Sequence, residues 1–222
     1  MMNKLEIDSI FLSYRDNHIL SDCYLECLTG DIIGILGRNG TGKSSLFEVI
    51  FGTLKPQNKF IRVDDKLYKK PFLKQLVGYL PQKGMFPEHQ SVNRLLRLML
   101  KKQTVELAFL NDQRIQKLWN QNIGTLSGGE RKYFEVYIML HMEHPFILLD
   151  EPFAGIEPIY AYEIENLIKL NTKSKGILIS DHYYQHVIRV SSKLFLLREG
   201  ALKAISDPRQ LEALGYVPYG TF

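Results

Sequence analysis

Short apolar runs alternate with helical patterns along most of the chain. Leu5–Tyr14 alternates apolar and polar residues and predicts a strand, and Cys23–Leu28 predicts a second one. Further strands are predicted at 32–36, 76–80, 146–149, 177–180, 194–197 and 201–205. Helices are predicted at 43–51, 158–170, 182–190 and 208–214. Apolar strands that alternate with helices indicate an α/β fold whose mostly parallel sheet is covered on both faces.

A helical block between residues 84 and 140 interrupts this alternation. Its stretch from Ser91 to Asn120 is helical in pattern and rich in Leu, Arg, Lys and Gln. A chain of 222 residues is short for two full domains. We therefore expect a single domain over 1–222, in which 1–83 and 141–222 form the sheet-based part and 84–140 is an insertion.

Composition excludes several classes of protein. The chain is 45% hydrophobic and 23% charged, as in ordinary globular proteins and unlike disordered ones. Its net charge of +4 suits an anionic small ligand or a membrane-proximal protein, whereas a dedicated nucleic-acid binder would show a denser basic stripe. No run approaches the ~18 apolar residues of a membrane span, and the N-terminus lacks a secretory pattern, so we expect a cytoplasmic protein.

The two cysteines are expected to be reduced thiols. Cys23 and Cys27 are four residues apart, which on one strand separates their Cα atoms by about 13 Å. A disulfide needs less than ~7 Å. A lone C-x3-C pattern also lacks the second pair of ligands that a zinc site requires.

A glycine-rich loop is the strongest chemical signal. Gly37–Ser44 fits the pattern G-x-x-x-x-G-K-[ST] and lies between an apolar strand and a helix start. Glycines let successive backbone N–H groups point at phosphate oxygens, and the helix start adds a positive dipole end. Lys43 supplies a charge for the β- and γ-phosphates, and the Ser44 hydroxyl suits Mg²⁺. The pattern predicts a binding site for a nucleoside triphosphate.

Polar residues follow two of the predicted core strands. Asp150 and Glu151 end one strand, and His182 follows another. Ligands of open α/β sheets bind at the carboxyl ends of strands, so these side chains should face the glycine-rich loop. Asp150 is predicted to hold Mg²⁺ and Glu151 to polarise the attacking water. His182 is predicted to contact the γ-phosphate or that water.

The spacing of the histidines does not predict a metal site. His182 and His186 have the i, i+4 spacing of a metal pair, but no third ligand is evident beside them. His141 and His144 flank a predicted helix end and suit capping or surface positions.

Ser127-Gly128-Gly129-Glu130 precedes an amphipathic run. Alone, these residues describe a helix start with a capping serine and an acid in the first turn. Their position between the glycine-rich loop and the acidic strand makes them more informative. With these residues, the sequence resembles the ATP-binding cassette (ABC) ATPases, the nucleotide-binding subunits of ABC transporters, over almost its whole length.

The resemblance implies the fold and a set of site residues. It implies a P-loop NTPase core, an N-terminal antiparallel β subdomain and a helical subdomain that carries the signature motif. Gln82 matches the Q-loop glutamine, a further Mg²⁺ and γ-phosphate sensor, and Tyr14 matches the aromatic residue that stacks on adenine. The residues implied to contact ATP are Tyr14, Gly37, Asn39, Gly40, Thr41, Gly42, Lys43, Ser44, Ser45, Gln82, Ser127, Gly128 and Gly129. Those implied for Mg²⁺ are Ser44, Gln82 and Asp150, and those implied for catalysis are Lys43, Glu151 and His182.

The family mechanism then becomes an expectation for this chain. Two subunits would face each other head to tail, so that Ser127 and Gly129 of one meet the γ-phosphate held by Lys43 of the other. A homodimer is the simpler form, since one chain carries every motif. The resemblance implies a membrane-spanning permease partner, no nucleic acid, and a location on the inner face of the membrane. The motif wording is nearest to ATPases of lipopolysaccharide export and branched-chain amino-acid import.

One departure and two alternatives accompany this interpretation. Glu157 stands where the family usually has Asp, in a loop that crosses the dimer interface, which leaves the closed-state contacts there open. A soluble non-transport ABC ATPase acting on nucleic acid or the ribosome usually carries two cassettes or a coiled-coil arm. A P-loop kinase would lack the signature at Ser127–Glu130.

Overall fold

Two β-sheets organise the molecule, for which a computed structural model describes residues 3–15 and 17–222. The first contains β1 (Lys4–Tyr14), β2 (Asn17–Leu28), β4 (Asn58–Val63) and β5 (Lys66–Leu67). It is antiparallel, and its strands lie in the order β2-β1-β4-β5. The second contains β3 (Ile32–Leu36), β6 (Val77–Leu80), β7 (Phe146–Asp150), β8 (Gly176–Ser180), β9 (Lys193–Arg198) and β10 (Ala201–Ile205). Its strands lie in the order β10-β9-β3-β8-β7-β6, and β10 alone among the described ones runs antiparallel.

Eight α-helices accompany the sheets in the described part of the chain. They are α1 (Lys43–Phe51), α2 (Val92–Met99), α3 (Lys102–Asn111), α4 (Gln113–Leu118), α5 (Gly128–His141), α6 (Pro158–Asn171), α7 (Tyr184–Val190) and α8 (Gln210–Ala213). Short 3-10 helices lie at Pro71–Lys74, Ile123–Thr125 and Thr172–Ser174. The predicted α/β class with a mostly parallel sheet and an N-terminal antiparallel sheet is confirmed.

The parallel strands are buried on both faces, which explains their lack of alternation. On β3, Ile33 and Ile35 pack into a core that contains α1 and the antiparallel sheet. Ile32 and Leu36 pack into a second core built with α5, α6 and the helical block. The six-stranded sheet therefore lies between two apolar cores, and its strand ends remain free to carry polar groups.

The structure divides the predicted helical block and shifts several predicted boundaries. The 91–120 pattern forms three helices, because the chain leaves the helix at Leu100 and because the Asp112 side chain accepts hydrogen bonds from Arg114 N and Ile115 N to start α4. The helix predicted from His182 starts at Tyr184. The second strand begins at Asn17, ahead of the predicted Cys23, and the last helix covers only Gln210–Ala213. The division at 83/84 and 140/141 stays a prediction.

Both cysteines are free and buried on β2. In the part of the chain that the structure describes, no helix combines the length and the apolar character needed to cross a bilayer.

Candidate active site

The glycine-rich loop curls between β3 and α1 around a buried lysine. Gly40 and Gly42 adopt φ of +81° and +101°, which L side chains rarely adopt. Lys43 Nζ donates to Gly37 O at 2.9 Å and to Arg38 O at 3.2 Å. Burial lowers the pKa of Lys43, while Glu151, Asp150 and Asp181 act in the opposite direction. The loop thus presents its backbone around one cation.

A cleft of about 430 Å³ opens on this loop. Its lining residues are Tyr14, Ile19, Asn39, Gly40, Gly42, Lys43, Ser44, Ser45, Gln82, Glu151, Ala154 and His182. Ten of these were predicted from the sequence, whereas Ile19 and Ala154 were not. Tyr14 ends β1 with its side chain 54% exposed, so its ring is available for stacking. Ile19 packs on the loop, since a β-carbon on Gly42 would come within 2.9 Å of Ile19 Cγ2.

Asp150 is buried at the carboxyl end of β7 and is not among the residues that line this cleft. The parallel register pairs it with Ser180 on β8, and the Ser180 hydroxyl donates to Asp150 Oδ1. Tyr79 OH donates to Asp150 Oδ2 at 3.1 Å. Burial first, and then the Asp150 charge, raise the pKa of Tyr79, which keeps the phenol protonated as a donor. Two donors therefore orient the Asp150 carboxylate.

Glu151 projects from a strained backbone into the cleft. Its φ of +52° is uncommon for a residue with a side chain. Gln82 Nε2 donates to Glu151 Oε2 at 2.6 Å, and Glu151 N donates to Ser180 O at 2.7 Å. These two contacts fix both ends of the residue and join it to the loop that follows β6.

His182 stands opposite Glu151 in the turn before α7. Its Nδ1 lies 3.7 Å from Glu151 Oε2 and 3.7 Å from Asp181 Oδ1. This nitrogen is buried and has no hydrogen-bond partner among the described residues. A buried polar atom without a partner is rare in folded proteins and indicates a place where a ligand can bind.

Asp181 fixes that turn and was not predicted from the sequence. It is fully buried; Oδ1 accepts from Tyr183 N and Oδ2 from Phe153 N, each at 2.9 Å. Burial raises the pKa of Asp181, and the two backbone donors oppose the shift. The Tyr183 contact turns the chain before α7, which explains why His182 precedes the helix. The Phe153 contact ties this turn to the loop after Glu151.

The predicted signature residues lie apart from the cleft. Ser127, Gly128 and Gly129 are absent from its described lining. Ser127 Oγ accepts from Glu130 N at 3.2 Å and Glu130 Oε2 accepts from Ser127 N at 2.9 Å, so a capping box starts α5. Gly128 is exposed, and a β-carbon there would meet nothing closer than Gly155 O at 3.9 Å.

Helix α5 also reaches back to the cleft. Lys132 Nζ donates to Gln82 O at 3.2 Å, and burial lowers the pKa of Lys132. A β-carbon on Gly84 would collide with the Glu135 carboxylate, since it would come within 2.4 Å of Oε1. The helix that begins at the signature is therefore in contact with the loop that carries Gln82.

Comparison with known proteins decides the family. The ABC transporter family model matches residues 20–154. The lipopolysaccharide export system ATP-binding protein LptB of Acidithiobacillus ferridurans is 30% identical over 224 residues, covering 95% of this chain and 93% of that protein. A probable ABC transporter ATP-binding protein of Azorhizobium caulinodans is 31% identical over 216 residues, covering 90% of this chain and 76% of that protein.

This chain belongs to the ABC transporter family. It is an ATP-binding subunit of that family and an ATPase, as its motifs predicted. The fold agrees, since a solved nucleotide-free ATP-binding cassette superposes with a TM-score of 0.81 over 97% of this chain and 96% of that one, at 23% identity.

Three histidines of this ABC ATPase and Glu157 make contacts outside the cleft. His141 Nδ1 lies 2.8 Å from Tyr137 O, and His144 Nδ1 lies 2.9 Å from Gln75 O. His186 Nδ1 lies 2.6 Å from Glu165 Oε1. Glu157 precedes α6, and its Oε2 would lie 2.6 Å from a β-carbon on Gly129. The residue that replaces the usual Asp thus packs against the signature of its own chain.

Replacement of Asp181 by Asn is expected to destabilise this ABC ATPase by about 1–3 kcal/mol. The amide of Asn has one acceptor atom, so either Phe153 N or Tyr183 N would lose its buried partner. Urea unfolding measures the loss. Asp207 makes the same local contact at the surface, accepting from Arg209 N at 2.9 Å. Asp207→Asn should leave stability within about 0.5 kcal/mol of wild type, and an equal loss in both variants would contradict the role of Asp181.

Proposed function

We propose that two copies of this chain clasp ATP head to tail and drive a separate membrane-spanning permease. The observation that carries this proposal is the separation of the two half-sites. The cleft around Lys43 is open, and the start of α5 at Ser127 lies outside it with Gly128 exposed. The N-terminus of α5, a 14-residue helix, favours an anion. In the family arrangement, that anion is the γ-phosphate of the ATP bound by the second subunit.

Within one half-site, each residue has a proposed role. Backbone N–H groups between Gly37 and Ser45 and the Lys43 ammonium bind the phosphates, and the Tyr14 ring stacks on adenine. The donor set fits Mg²⁺, because Ser44 and Gln82 offer neutral oxygens and Asp150 offers an oriented carboxylate. When bound, Mg²⁺ neutralises charge on the transferred phosphoryl group.

Glu151 and His182 are proposed to perform the proton chemistry. Glu151 is the one carboxylate that lines the described cleft, so it is placed to accept a proton from the attacking water. Gln82, which donates to Glu151, orients the carboxylate. The unpartnered Nδ1 of His182 makes this ring available to polar ligands, and its position opposite Glu151 suits a contact with the γ-phosphate.

Motion between the half-sites is proposed to reach the permease through α5. Lys132 and Glu135 of this helix contact the loop of Gln82 and Gly84. Closure of the ATP sandwich would therefore move 84–140, the proposed helical subdomain, against the sheet. The similarity to LptB, the ATP-binding protein of a lipopolysaccharide export system, supports a role in export and a location on the inner face of the membrane. Co-purification with the permease tests this assignment, and recovery of the chain without a membrane protein would contradict it.

ATP is expected to double the mass of the Glu151→Gln variant from 25.7 kDa in light scattering. Blocked hydrolysis keeps the closed state populated. Gly128→Glu in the same background is the matched control, because the position has room for a side chain within one subunit and the added charge would face the partner's phosphate. An unchanged mass with ATP, or equal dimerisation of both variants, would contradict the head-to-tail arrangement.

A further inference from the structure

One segment carries more positive charge than the whole chain. Residues 55–74 contain six lysines and one arginine against two aspartates, a net charge of +5, whereas the whole chain has +4. The other residues together are therefore close to neutral. We define the basic patch as the six lysines of this segment. They are Lys55, Lys59, Lys66, Lys69, Lys70 and Lys74.

The fold brings this segment to the C-terminal end of α1. The backbone of Lys70 lies against Gly52, where a β-carbon would come within 2.8 Å of Lys70 Cα. Lys59 Nζ donates to Val49 O at 2.8 Å. Burial is the main cause that lowers the pKa of Lys59, and the nearby charge of Lys70 is the second cause. The other five lysines of the patch are exposed.

The acids of the segment do not neutralise the patch. Asp64 accepts hydrogen bonds from Asn3 and Lys4 N, and Asp65 pairs with Lys4 at 3.6 Å. Among the described residues, none of the six lysines has its ammonium within 4.0 Å of a carboxylate. The positive charge of the patch is therefore not neutralised by ion pairs among the described residues.

Exposed leucines lie between these lysines. Leu67 on β5 is 57% exposed, and Leu73 in the 3-10 helix is 65% exposed. Phe72 anchors that helix by stacking on Phe51 at a ring distance of 4.9 Å. A lysine on an edge strand prevents pairing with another sheet, which explains Lys66 on β5. It does not explain the lysines outside the strand or the two leucines.

We propose that the basic patch binds the anionic phospholipid headgroups of a membrane surface, with Leu67 and Leu73 entering the interface. Clusters of four to eight basic residues bind anionic lipids, and apolar side chains among them add binding by leaving water. A nucleic-acid backbone would use the lysines but offers no apolar phase for the leucines. A lipid surface accounts for both features.

The patch is remote from the ATP cleft. It lies beyond the C-terminal end of α1 and before the amino end of β6, whereas the phosphate loop precedes α1 and Gln82 follows β6. Nine helical residues of about 1.5 Å rise separate the two ends of α1. Lipid contact would therefore leave the nucleotide site open. The proposal depends on neither the permease nor the dimer.

The test is co-sedimentation of the full chain with vesicles made from lipid alone, without a permease or any other membrane protein. Wild type should bind vesicles of mixed phosphatidylglycerol and phosphatidylcholine, weakly at high salt, and should not bind pure phosphatidylcholine. Each lysine strengthens binding roughly five-fold, so Lys69→Gln, Lys70→Gln and Lys74→Gln together should weaken it roughly 100-fold. The matched control removes three exposed lysines elsewhere, through Lys117→Gln, Lys173→Gln and Lys203→Gln, and should bind as wild type does.

The remaining variants separate lipid from other anions. Leu67→Ser with Leu73→Ser should abolish the binding that persists at high salt, and ATP hydrolysis by every patch variant should equal that of wild type. Equal loss in the control, equal binding to both kinds of vesicle, or tighter binding of duplex DNA than of vesicles through the same lysines would overturn the proposal. Because the vesicles hold no permease, these outcomes do not bear on transport.

Discussion

Glu151→Gln is expected to slow ATP hydrolysis by ~10²-fold or more while ATP affinity stays at the wild-type level. The amide has the shape of the carboxylate but cannot accept the proton of the attacking water. Lys43 and the glycine-rich loop, which bind the phosphates, keep their contacts with each other in this variant. Single-turnover phosphate release measures the hydrolytic step, and nucleotide titration measures affinity.

The same Glu→Gln change at the surface shows whether the loss of activity depends on the position of the carboxylate. Glu143 is exposed and pairs with Lys101, away from the cleft. Glu143→Gln should hydrolyse ATP at the wild-type rate. If Glu151→Gln also retained turnover, Glu151 would not be the base, and the interaction between Gln82 and Glu151 would need another explanation.

The glycine-rich loop was predictable because its requirements are local. A left-handed backbone at Gly40 and Gly42 needs glycine, and a strand before the loop and a helix after it are visible in the same stretch of sequence. The acidic pair was predictable for a similar reason. A strand that ends in carboxylates must carry them to the edge where parallel strands end.

Contacts between distant segments were not predictable. Ser180 orients Asp150 only because β7 and β8 pair in a particular register, which no local pattern specifies. Asp181 joins Phe153 across 28 residues, and Lys132 reaches Gln82 across 50. The position of Asp181 at the end of a core strand, beside His182, was the one available signal.

The helical block and β1 show how local patterns also mislead. Leucines continue through 91–120, yet the helix breaks at Leu100 without glycine or proline. In the antiparallel sheet, Ser9 and Asp22 adopt positive φ, and the pairing of β1 with β2 shifts between Ile7 and Ile10. The net charge of +4 likewise conceals the charge of +5 on residues 55–74, because the rest of the chain is close to neutral.

Lys43→Ala is expected to abolish nucleotide binding, measured as loss of the thermal stabilisation that ATP gives wild type. ATP at about 100 times its Kd stabilises a protein by ~2.7 kcal/mol, or several degrees at this chain length. Lys43 also donates to Gly37 O and Arg38 O, so Ala removes a loop contact together with a charge. Lys43→Met keeps most of the buried stem and should lose binding as well. Wild-type stabilisation in both variants would contradict the assignment.

Mixing variants extends this prediction to the pair of subunits. Two Lys43→Ala subunits offer no working phosphate loop and two Gly128→Glu subunits offer no working signature, so neither variant alone can assemble a complete site. A mixed dimer holds one complete site, formed by Lys43 of the Gly128→Glu subunit and Gly128 of the Lys43→Ala subunit. Hydrolysis should therefore reappear on mixing two inactive proteins. Since the cleft and the signature lie apart within each chain, activity that never returns would mean that they do not meet between chains either.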